Sequence, residues 1–111
     1  MIIEEIVRNH LEAKLTVPVK VKKDESCPEY VLLEKTGGGK ENLIFSASIT
    51  VQSYGKNLYD AALLNEEVKQ AMDKLTEVDQ VTRCDLNSDY HFPDPDIKAE
   101  RYQAVFNIRH Y

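Results

Sequence analysis

Apolar residues recur along this chain with two distinct periods, and each change of period marks an element. Ile3, Ile6, Val7, His10, Leu11 and Leu15 are spaced by three and four, the stripe of an amphipathic helix. Pro18 limits that helix, because the residue before a proline is pushed out of helical geometry. Val17, Val19 and Val21 then alternate with Pro18, Lys20 and Lys22, which predicts a short, half-buried strand. Pro18 has no N–H for the ladder, so this strand is expected to start late or to lie at an edge. After a polar turn over Lys23 to Pro28, Tyr30 to Lys35 reads as a second strand. Thr36-Gly37-Gly38-Gly39-Lys40-Glu41-Asn42 reads as a flexible connector. Leu43 to Tyr54 comes next, with Leu43, Phe45, Ala47, Ile49 and Val51 on one side and Ile44, Ser46, Ser48, Thr50 and Gln52 on the other. Strand, glycine-rich loop and strand predict a long β-hairpin.

Gly55 ends the hairpin, and Asn57 is placed to cap a second helix with Asp60 three residues on. Leu58, Ala61, Ala62, Leu64, Val68, Ala71, Met72 and Leu75 mark its expected buried face. Val78 to Leu86 reads as a strand, and Asn87 to Lys98, with Pro93 and Pro95 among aspartates, as an irregular loop. Arg101 to Tyr111 closes the chain as a strand that alternates Tyr102, Ala104, Phe106 and Ile108 with Gln103, Val105, Asn107 and Arg109. The predicted order α-β-β-β-α-β-β has no regular βαβ alternation. It describes an α+β fold, a single antiparallel or mixed sheet with two helices packed on it. No repeat or linker divides residues 1–111, so the chain is read as one domain.

Composition narrows the function classes. With Lys+Arg at 14 and Asp+Glu at 19, the formal net charge is −5. That balance disfavours a partner held by its phosphates, whether nucleic acid or an anionic membrane surface. The acidic start Met-Ile-Ile-Glu-Glu lacks the basic end and apolar run of a secretion signal. Cys27 and Cys84 are too few to define a disulfide framework and read as two thiols of a reducing compartment.

Candidate chemistry is sparse. Gly37-Gly38-Gly39-Lys40 lacks the length, the Ser/Thr after the lysine and the following helix of a phosphate loop. His91, Asp94 and Asp96 bring too few ligands for a metal site, and the two prolines stiffen the run between them. His10 reads as a satisfied core-edge histidine, and Ser46, Ser48 and Ser53 lack a nucleophile elbow. No nucleophile, base and orienting group come together, so neither an enzyme nor a cofactor or metal is expected. Tyr54, Tyr59, Tyr90, Tyr102 and Tyr111 fall near element ends, where tyrosine often serves protein contacts.

The ordered set of elements resembles the small tail-terminator, or tail-completion, proteins of long-tailed bacteriophages and their prophage relatives. The resemblance rests on the helix ending at Leu15, the strand Val17-Pro18-Val19-Lys20-Val21, and Cys27 to Gly39 with its Thr-Gly-Gly. It continues through Ile49 to Gly55, the helix built on Leu58, Ala61-Ala62 and Val68, Tyr90 to Asp94, and Arg101 to Phe106. It implies a structural virion protein that assembles in the host cytoplasm. A homo-oligomeric ring, usually a hexamer, would cap the head-proximal end of the tail tube, stop its growth and receive the head-completion or neck proteins. The family has no catalytic residues to carry over. The candidate contacts are Thr36, Gly37, Gly38, Gly39, Lys40 and Glu41 at the hairpin, and Tyr90, His91, Phe92, Asp94, Asp96 and Arg101 at the later loop. Arg101 with Asp94 and Asp96 would form ion pairs between subunits. Two other classes fit the same residues: another head–tail connector or head-completion component, and a small non-catalytic regulatory or antitoxin-like module.

Overall fold

The computed structural model of the chain describes residues 2–95 and 99–111. Helix α1 runs Ile3–Lys14 and buries Ile3, Ile6, Val7 and Leu11, the stripe that its spacing predicts. Glu4 and Glu5 lie in its first turn and Lys14 in its last, each sign at the favourable end of the helix dipole. Strand β1 is only Val19–Lys20, parallel to Val31 and Leu32 at one edge of the sheet. Both consequences of Pro18, the late start and the edge position, are realised.

Strands β2 (Tyr30–Glu41) and β3 (Ile44–Gly55) form a long antiparallel hairpin. The glycines are not a connector. Gly37, Gly38 and Gly39 lie in β2, opposite Ser48, Ala47 and Ser46. The turn proper is Asn42-Leu43, with Asn42 at φ 57°, a left-handed conformation that asparagine tolerates. Thr36, also expected in the connector, occupies a register shift between Lys35 and Gly37. Glycine is a poor strand former in isolation, but pairing along β3 supplies the ladder that side-chain propensity does not.

Helix α2 (Leu58–Asp73) starts as predicted, with Asn57 Oδ1 accepting the Asp60 N–H at 2.8 Å. Leu58, expected inside, remains exposed, while Asn65 is buried with Ala61, Leu64, Val68, Ala71 and Met72. The helix enters so close to β3 that a Cβ on Gly55 would lie 2.4 Å from Ala61 N and 2.8 Å from Ala61 Cα. Only a hydrogen fits there. A single 3₁₀ turn, Leu75–Glu77, leads to β4 (Val81–His91), and β5 (Glu100–His110) closes the sheet. The loop expected from Asn87 therefore begins later. Asn87 to His91, including Tyr90 and His91, belong to β4, which passes a register shift between Leu86 and Ser88. An edge strand tolerates this polar stretch because much of its surface faces water.

The result is an α+β fold, one mixed five-stranded sheet ordered β1-β2-β3-β5-β4 with two helices. The main core lies under the helices. Val31, Leu33, Ala47, Ile49, Val51, Ala104, Phe106 and Ile108 of the sheet meet Ile6, Val7, Leu11, Leu64, Val68 and Met72. A second, smaller cluster of Tyr30, Leu32 and Tyr54, with Cys27 and Ala99 against it, sits on the other face. Tyr54, expected at a contact surface, is instead 1% exposed and stacked on Tyr30 at 4.4 Å between ring centroids. Its register opposite Tyr30 determines this.

Candidate functional site

The strand alternation that puts Ile49 and Val51 under the helices puts Thr50, Gln52 and Tyr54 on the open face. Opposite Tyr54 stands Arg101 of β5, 6% exposed, and the chain leaving β4 folds back so that Asp94, 1% exposed, meets it. Arg101 Nε donates to Phe92 O at 2.7 Å, and its Nη1 donates to Tyr54 Oη at 2.8 Å and to Asp94 Oδ2 at 3.3 Å. Tyr54 Oη donates in turn to Asp94 Oδ2 at 3.0 Å, and Lys23 Nζ lies 2.9 Å from the same oxygen. The guanidinium also lies over the Phe92 ring, 4.5 Å from its centroid. Burial pushes the Tyr54 phenol up to about 12, with Arg101 opposing, so it stays neutral at physiological pH.

This arrangement overturns the reading of Arg101 and Asp94 as ion-pair partners between subunits. They are satisfied within one chain and closed off from solvent. Asp96, the third residue of that expectation, lies outside the described residues. The network pins the segment after β4 to the sheet, helped by a bridge between Asp94 and Ala99 and by Phe92 N–H donating to Arg101 O at 2.9 Å. It extends across the open face through Gln52, which donates to Gln103 Oε1 at 2.8 Å, and through Gln103 to Tyr90 Oη. Tyr90 and Phe92 remain partly exposed with their rings edge to face, and His91 Nε2 lies 2.7 Å from Glu100 Oε2. Five of the loop candidates (Tyr90, His91, Phe92, Asp94 and Arg101) are thus brought together, three accessible and two inside. Tyr54 and Gln52, whose Oε1 accepts from Arg101 Nη1 at 3.4 Å, were missed as Arg101 partners because cross-strand register leaves no trace in local spacing.

The hairpin candidates lie elsewhere, along the free margin of the sheet. From Glu34 to Glu41 every residue of β2 is exposed, and β1 covers only Val31 and Leu32 of that strand. Lys40 Nζ sits over the Phe45 ring, which stacks on His110, and Leu43 at the turn is 80% exposed. At the opposite margin β4 is the outermost strand, with Arg83, Asp85, Leu86 and Asn87 exposed along it. None of these β4 residues stood out in the sequence, since the signal there is only a polar strand.

The remaining candidate chemistry is accounted for locally. His10 Nε2 lies 2.7 Å from Ala71 O, linking α1 to α2 at the edge of the core. Cys27 and Cys84 are free thiols, and burial, with Asp85 and Asp73 adding to it, pushes Cys84 up to about 12. Its thiolate is therefore scarce, which is the wrong state for a nucleophile. Among the described residues no group of three or more His, Cys, Asp and Glu side chains is placed to hold a metal ion. No helix among them is long and apolar enough to cross a membrane. The chain matches no protein-family model, and no curated protein matches it in sequence.

Proposed function

We propose that this chain is the subunit of a ring that caps the head-proximal end of a phage or prophage tail tube, ending tube growth and receiving the neck. The reading starts from the ordered resemblance in sequence. The observation that supports it most is the pair of unlike margins on one sheet that no described strand covers: the outer half of β2, exposed from Glu34 to Glu41, and the outer side of β4. Long open strand edges are templates for pairing with another chain, and soluble monomers usually shorten or cover them. Two different sticky margins on opposite sides favour head-to-tail association, which closes into a ring when the rotation allows. The projecting turn, with Leu43 and Phe45 exposed, offers a further apolar contact toward a tube or a neighbour. The acidic charge suits contact with proteins beside a DNA conduit rather than with the DNA.

The test is polymerisation of the tail-tube protein of the phage that carries this gene, with and without the chain, imaged by negative stain. Shorter tubes bearing a ring of density at one end are expected. Tubes of unchanged length with unchanged ends would overturn the proposal.

A further inference from the structure

The two open margins also bear on how such subunits join, a question that rests on the ring reading above. We infer that β4 of one copy pairs antiparallel with the glycine-bearing half of β2 of the next, so that the sheets run on from subunit to subunit. Direction comes first. β3 is antiparallel to β2, β5 to β3 and β4 to β5, so β4 runs opposite to β2. A neighbour added by rotation with its helices on the same side therefore presents its β2 antiparallel to β4, the geometry in which edge ladders close readily.

Charge and facing then select one register. Arg83, opposite Arg109, and Glu41, opposite Ile44, both lie on the open face. Asp89, opposite Ala104, and Lys35, opposite Ile49, both lie on the helix-covered face. With Arg83 set against Glu41 of the neighbour, Asp89 falls against Lys35, because the two stretches have the same length. Each stretch also contains one register shift, at Asn87 and at Thr36, so the faces agree at both ends of the run. Both pairs are of opposite sign. Asp89 already holds Lys69 at 2.7 Å, and Lys35 would join that pair. The exposed Leu86 comes to lie against Gly38, where the side chain in the way is the flexible end of Lys35, which swings clear as it reaches Asp89. Pairing β4 with β4 of a second copy, centred on Leu86, would instead set Arg83 against Asp89 on opposite faces, where they cannot meet. The head-to-tail arrangement is the one that the charges favour.

Cysteine pairs test the register. In a Cys27→Ser, Cys84→Ser background, Gly38→Cys and Leu86→Cys are made separately and together. A Cβ on Gly38 meets the flexible end of Lys35, 3.1 Å from Cε, and makes an ordinary contact with Ser46 O at 3.5 Å, so the strand accommodates it. Under mild oxidation the two single variants, mixed, should give a disulfide-linked dimer that neither gives alone. The chain with both cysteines should give a ladder of covalent multimers that ends at the ring. A dimer from Leu86→Cys alone would overturn the proposal in favour of β4 against β4. Association without a Gly38–Leu86 link would overturn it in favour of another surface, and a chain that stays monomeric even beside tube ends would overturn it outright. Should a cysteine variant fail to fold, charge reversal gives the same answer on surface residues. Glu41→Arg and Arg83→Glu should each weaken self-association about tenfold, and the two together should restore it; independent, additive losses would overturn the register. Tube capping with links formed elsewhere leaves the function standing and removes this interface. Correct links with unaltered tubes do the reverse.

Discussion

Replacement of Arg101 by Met tests the claim that the segment after β4 is held by a buried charge network rather than by chain connectivity. The substitution keeps much of the side-chain volume and removes the donors to Phe92 O, Tyr54 Oη and Asp94 Oδ2. Asp94 is then left almost fully buried, with Tyr54 Oη and Lys23 still beside it. Breaking one side of a buried pair costs about 3–5 kcal/mol. Because Lys23 still meets the carboxylate, the lower end applies, about 3 kcal/mol. A domain of this size has about 5–15 kcal/mol of stability in all, so the loss is large without abolishing folding. It corresponds to a fall of roughly 10–15 °C in Tm. The assay is urea denaturation of wild type, Arg101→Met, Asp94→Asn and the double variant, with equal m-values as the check that only stability changed. The double variant should cost less than the sum of the singles by about 1–3 kcal/mol, the coupling of groups in one network. Single losses below about 1 kcal/mol that add independently would refute the reasoning, because they would mean that both groups are solvated.

The packing leads to three further outcomes. Gly55→Ala should destabilise by about 1–3 kcal/mol, because its methyl meets the Ala61 backbone at 2.4 Å and no side chain can move aside; an unchanged Tm would show that α2 enters differently. The Tyr54 phenol is raised from 10.0 to about 12 in the folded state, so the stability that it contributes is complete below pH 10 and is lost as pH rises toward 12. Alkaline unfolding of Tyr54→Phe should accordingly be flatter than wild type across that interval, and parallel curves would contradict the assignment. Deletion of Gly37–Gly39, harmless for a free connector, should here remove three paired residues from β2 and reverse the facing of Lys40 and Glu41; loss of amide protection at those two residues measures it, and full protection would restore the connector reading.

The relation between Arg101 and Asp94 illustrates what could be read in advance. Both residues stood out as charges beside a proline-rich segment, and their mutual attraction was legible. Their placement was not, because it depends on β5 lying between β3 and β4 and on Tyr54 falling opposite Arg101. The glycine tract misled for a related reason. Its composition speaks of backbone freedom, while its conformation is decided by β3 alongside it. Asn65 gives no warning in the sequence because a polar residue on a helix is ordinarily wet, yet it lies on the same turn-spaced stripe as Ala61, Val68 and Met72.

Local period alone determined the stripe of α1, the cap of α2 at Asn57, the inward residues Ala47, Ile49 and Val51 of β3 and Ala104, Phe106 and Ile108 of β5, and the α+β class. Those features arise from side chains three, four or two positions apart, whose spacing is written into the chain. The tertiary structure decided the strand order, the extension of β2 and β4 through glycine and polar residues, the burial of Arg101 with Asp94, and the two open margins. Each of these depends on contacts between residues far apart in sequence, where hydrogen bonding and exclusion of water by a neighbouring strand outweigh what any one segment prefers by itself.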